Sequence, residues 1–105
     1  MTTPTQGIVL FAHGSRDPLW RAPIEAVEAH IRAHHPGVAV RCAYLELSTP
    51  DLPQAVEDLV DQGATAVTIV PMFLGTGKHA REDLPMLVAE LRARHPRVQV
   101  HVQAA

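Results

Sequence analysis

Thiols are nearly absent from this 105-residue sequence, in which Cys42 stands alone. No intramolecular disulfide can form, which fits a reducing compartment and predicts a cytoplasmic protein. Aromatic residues are scarce too, at 4%, so the core has to rest on Val, Leu, Ile and Ala. There is no surplus of positive charge. Nine Lys and Arg against eleven Asp and Glu give a formal net charge of −2, without the basic surface that nucleic-acid binding needs. No apolar run exceeds strand length, so no membrane span is expected. Met1 to Gln6 is polar and lacks a basic region, so no secretory signal is expected either. Low-complexity segments, linkers and internal repeats are missing as well. The length suits one domain, residues 1–105, with a single modest core.

What is present is an alternation of two periods. Gly7 to Ala12, Val38 to Leu45, Ala66 to Val70 and Val98 to Val102 are β-branched runs of strand length. Pro71 cannot donate to a ladder and should end the third run. Between them the apolar positions recur at helical spacing: Ile24, Val27 and Ile31; Leu52, Val56, Leu59 and Val60; Leu84, Leu87, Val88 and Leu91. Pro36-Gly37, Gly63 and Pro96 stop these segments. Thr49-Pro50-Asp51 reads as an N-cap followed by proline at the first helical position. The third helix opens at Ala80, with Glu82 and Asp83 in its first turn, where the dipole favours them. The order β-α-β-α-β-α-β implies a parallel sheet with right-handed crossovers. The expected fold is a small flavodoxin-like α/β domain, with four parallel strands in the order 2-1-3-4 and helices on both faces.

In such a sheet, the carboxyl ends of the strands form the edge where ligands bind. His13 follows the first strand, Glu46 the second, and His79 the loop after the third. Two imidazoles and a carboxylate at one edge suit a divalent transition metal with open positions, and suit proton transfer equally well. Taken singly, each histidine reads more simply as a hydrogen-bonded loop residue, and Glu46 as a solvated strand end. Their coincidence carries the functional reading. His30 and His34 lie four apart on one helix face, a metal-capable spacing, but near a helix C-terminus where a cation is favourable anyway. His35, His95 and His101 read as surface residues. Gly75 and Gly77 lack the spacing of a Walker loop or a dinucleotide fingerprint. Lys78 therefore reads as a partner for a substrate carboxylate or as a solvated charge.

Three segments together resemble a known family: Ala12-His13-Gly14-Ser15-Arg16, Leu45-Glu46 before Thr49-Pro50, and Val70-Pro71-Met72-Phe73-Leu74 leading to Gly77-Lys78-His79. They are similar to the class II tetrapyrrole chelatases, above all to the short sirohydrochlorin cobaltochelatases and their ferrochelatase relatives. The resemblance runs in order along essentially the whole chain. It implies insertion of Co²⁺ or Fe²⁺ into sirohydrochlorin, on the way to cobalamin or sirohaem. Ni²⁺ is a further candidate, and no organic cofactor is expected. On this likeness His13 and His79 would bind the metal, and Glu46 would match the family's acidic residue. Imidazole holds such metals without the thiolate grip that prevents release, and Glu46 or a histidine would accept the two pyrrole protons. Ser15, Arg16, Gly77 and Lys78 would meet the polycarboxylate, Arg16 with bidentate geometry. The lip Met72-Phe73-Leu74 would pack on the macrocycle or stay buried.

Short members of this class continue past the last strand into a further helix, whereas this sequence stops at Ala105. One sheet face would then be less covered than the other, leaving apolar surface to bury. Longer members hold two such domains in one chain, so two copies of a short one would recreate the cleft as a homodimer. Two other readings compete. Histidine phosphatases also place a His-Gly pair after a first strand, but they need an arginine before it, where this chain has Ala12. A non-catalytic metal-binding or carrier protein of the same fold would keep His13 and His79. It would have no reason to bind a tetrapyrrole.

Overall fold

The computed structural model describes residues 5–12, 14, 17–45, 49–72 and 78–103, with only the backbone described for residues 5, 18, 20 and 78–82. Seven elements follow one another as β1 (Thr5–Ala12), α1 (Pro18–His34), β2 (Ala39–Tyr44), α2 (Leu52–Asp61), β3 (Ala64–Pro71), α3 (Lys78–Arg94) and β4 (Gln99–Val102). The strands form one parallel sheet in the order β2-β1-β3-β4, as the βαβ alternation predicts. β3 does end at Pro71.

Two cores flank the sheet. On one face Val9, Phe11, Val67, Ile69 and Val100 point into α2 and α3, against Leu52, Val56, Leu59, Val88 and Leu91. On the other, Leu10, Val40, Cys42 and Tyr44 meet Ile24 of α1. Gly7 of β1 lies against Leu59 of α2. A Cβ there would lie 3.0 Å from Leu59 Cδ1, so hydrogen is the side chain that fits best. The α1 face is the less covered one. Beyond that helix it shows Thr68 and Val70, partly buried, and the exposed Gln99 and His101. Polar side chains therefore interrupt the apolar surface expected there.

Four local expectations need correction. Val27 is 37% exposed, and the stripe that faces the sheet runs through Ile24, Glu28 and Ile31 instead. Glu28 belongs on that stripe because its Oε2 accepts from the Cys42 amide at 2.8 Å on the outer side of β2. The cap of α2 is Asp51 rather than Thr49, because its Oδ1 reaches the Gln54 amide at 2.9 Å. α3 opens at Lys78, two residues before Ala80, so its first turn holds no acidic residue. His95 is half-buried rather than a surface residue, with Nε2 enclosed and unpartnered among the described residues. Its own backbone closes the turn on both sides, donating to Leu91 O and accepting from Val98 N.

Contrary to the sequence expectation, a short internal repeat joins each 17-residue helix to its edge strand. Arg32-Ala33-His34-His35-Pro36-Gly37-Val38-Ala39-Val40 and Arg92-Ala93-Arg94-His95-Pro96-Arg97-Val98-Gln99-Val100 spell nearly the same αβ turn. Each ends a helix of 17 residues. In each, the Val amide donates to the His carbonyl at 3.0 Å. In each, the Arg Nη2 donates to an outer carbonyl of the edge strand, Val40 O at 3.2 Å or Val100 O at 2.9 Å. The units β1-α1-β2 and β3-α3-β4 thus share one αβ turn and one arginine anchor from helix to edge strand.

Candidate functional site

Strand register decides what the carboxyl edge can assemble. Ala12 pairs with Tyr44 and Phe11 with Pro71, so β1, β2 and β3 end level with one another. Two further bonds hold the exits in place, Leu45 N to Ala12 O at 2.9 Å and Met72 N to Phe11 O at 2.7 Å. The chain leaves β1 one residue before His13 and passes Leu45 one residue before Glu46. Gly14, directly after His13, has φ 102, a conformation that side chains with a Cβ resist.

α1 begins beside this edge. The Asp17 carboxylate caps it, Oδ1 accepting from the Leu19 amide at 2.9 Å, and Leu19 is 80% exposed there. Lys78 and His79 are the first two residues of α3, which descends from the same edge after β3. An extended first turn explains why His79 lies on a helix rather than on a loop. His13, Ser15, Arg16, Glu46 and Gly77 lie outside the described residues, as do the side chains of Lys78 and His79. Of the apolar lip, Met72 is partly buried against the α1-face core; Phe73 and Leu74 are outside the described residues. Among the described residues, no group of three or more His, Cys, Asp or Glu is placed to hold a metal ion.

Next to the edge lies an open groove of about 690 Å³ along the outer side of β2, between α1 and α2. Glu25, Glu28, Arg41, Tyr44, Asp51 and Asp58 line it, making it acidic. Nothing in the sequence pattern singled it out, because its carboxylates come from two helices and an edge strand. Two protons here are held firmly. Burial, then the hydrogen bond to Glu28, pushes the Cys42 thiol up to about 12. Burial, then the neighbouring Cys42 and Glu25, pushes the Tyr44 phenol up to about 12 as well. Neither supplies a thiolate ligand or a base near neutral pH.

A model of the CbiX family matches residues 7–105. The chain is 32% identical over 87 residues to the sirohydrochlorin cobaltochelatase of Methanosarcina barkeri, covering 83% of this chain and 67% of that one. Among solved structures, it resembles the CbiX protein of Marinobacter aquaeolei VT8, with a TM-score of 0.75, 33% identity and coverage of 94% and 80% of the two chains. It also resembles the sirohydrochlorin chelatase SirB of Bacillus subtilis subspecies spizizenii in complex with cobalt. There the TM-score is 0.80 and the identity 31%, over 93% of this chain and 42% of that one. The chain spans about two thirds of the length of the curated archaeal relatives it matches. On the strength of a family match along nearly its entire length, the chain belongs to the CbiX family.

Proposed function

We propose that this chain is a sirohydrochlorin chelatase, inserting a divalent metal into the tetrapyrrole on the path to cobalamin or sirohaem. The observation that carries the reading is the level ending of β2, β1 and β3. It brings the exits toward His13, Glu46 and His79 to one edge of one sheet. Relatives that act on the same macrocycle with cobalt or iron support it. Co²⁺ and Fe²⁺ are the metal substrates favoured, with Ni²⁺ open to the same imidazole ligands.

In this reading His13 and His79 receive the metal, while Glu46 takes part in removing the two pyrrole protons. Ser15, Arg16, Gly77 and Lys78 anchor the carboxylate periphery. The test is an absorbance assay of sirohydrochlorin with each metal. His13→Ala and His79→Ala should each strongly reduce insertion with the fold intact. Glu46→Gln should slow it roughly a hundredfold or more. Insertion at the unaltered rate by the double histidine variant would place the site elsewhere, and metal binding without any macrocycle binding would favour a carrier.

A flat, broad ligand needs a wall on each side, and one domain offers a single edge. We infer a cytoplasmic homodimer in which the second copy supplies the facing wall. Sedimentation at micromolar concentration should give twice the chain mass. A monomer that inserts metal at full rate would overturn the pairing.

A further inference from the structure

The far end of α1 carries a feature that tetrapyrrole chemistry leaves unused. His30 and His34 occupy successive turns and are both exposed. Their rings stack, with centroids 4.1 Å apart and planes 25° from parallel. His34 Nδ1 lies 3.0 Å from the His30 carbonyl oxygen. A carbonyl only accepts, so in the neutral ring Nδ1 carries the proton and Nε2 keeps its lone pair. A metal-ligating histidine is oriented in just this way, by donating its second nitrogen to a backbone carbonyl. Arg32 turns toward β2, where it pairs with Glu28 at 3.6 Å and donates to Val40 O.

The position separates this pair from the edge already described. α1 starts at the carboxyl end of β1 and runs back along the sheet for 17 residues. At 1.5 Å per residue, its ends are about 25 Å apart. His30 and His34 fall in the last two turns, at the opposite end of the sheet.

The stacked rings aim their in-plane lone pairs side by side, and we propose that the exposed His30 ring swings out of the stack so that His30 and His34 form a two-imidazole chelate for a first-row divalent transition-metal ion, with water completing its coordination. Two nitrogens of intermediate softness select Cu²⁺, Ni²⁺, Co²⁺ or Zn²⁺ over Mg²⁺ or Ca²⁺. The open coordination positions make the ion exchangeable. The site needs no residue of the chelatase edge and stands whether or not that activity is confirmed.

Calorimetric titration with Ni²⁺ and Cu²⁺ tests it, on the full chain carrying His13→Ala and His79→Ala. A single ion per chain should bind, Cu²⁺ more tightly than Ni²⁺, with nitrogen hyperfine structure in the Cu²⁺ electron paramagnetic resonance spectrum. Adding His34→Ala should weaken binding roughly tenfold or more, because the second imidazole then no longer binds at high effective concentration. His35→Ala should leave binding unchanged. Circular dichroism on each variant shows whether the helix is retained. If the titration is unaltered by His30→Ala plus His34→Ala, or equally damaged by His35→Ala, the chelate does not exist. The same measurement on the chain with His13 and His79 intact repeats the comparison if the background variant does not fold.

Discussion

Glu28 stands on the buried stripe of α1, a position where helical period alone asks for an apolar side chain. It is there because β2 is an edge strand whose Cys42 amide faces outward and has to be satisfied. Glu28→Ala removes that acceptor and also frees Arg32 from its ion pair. The expected cost is about 1–3 kcal/mol, the penalty for an orphaned donor, read as a lower urea midpoint. Glu28→Gln, which keeps an acceptor oxygen, should recover part of it. The residue scale also shows what sequence reading can reach. The strand ends that precede His13 and Glu46 were legible because period and punctuation mark them in the chain. Glu28, Arg32 and Arg92 were not, since their partners are main-chain atoms on a strand the helix reaches only after folding.

At the scale of elements, the four strands and three helices follow from period and punctuation, and the errors gather at junctions. α2 starts where a carboxylate reaches an amide, a distance that the Thr-Pro-Asp spelling does not encode. α3 starts early enough to take in Lys78 and His79, because neither residue stops a helix and nothing before Ala80 forbids the turn. The repeat is confined to the αβ turn, because the two helical faces differ: Glu28 and Ile31 in one, Val88 and Leu91 in the other. Gly14 is the junction that matters most for chemistry. Its φ of 102 turns the chain between β1 and α1, immediately after His13. Gly14→Ala imposes a Cβ on that conformation at about 1–2 kcal/mol. A lower urea midpoint together with slower metal insertion is the expected result. Loss of stability without loss of insertion would show that the turn does not position His13.

For the whole molecule, the two firmly held protons set an alkaline limit. An unfolded chain loses the Cys42 proton near 9 and the Tyr44 proton near 10, whereas the folded chain keeps both until about 12. Above pH 9 the folded state therefore binds more protons than the unfolded one, and stability falls as pH rises. Urea midpoints should decline between pH 9 and 12. Cys42→Ala should make the early part of that decline shallower. The edge hydrogen bonds have a different kind of consequence. A parallel sheet offers a growing aggregate two open borders, and here both are partly occupied by the protein itself. Along β2, Val40 O, Cys42 N and Tyr44 N are taken by Arg32, Glu28 and Pro50 O. On β4, Val100 O is taken by Arg92. A stray strand from a neighbouring molecule finds these positions filled, so fibrous growth through them is discouraged.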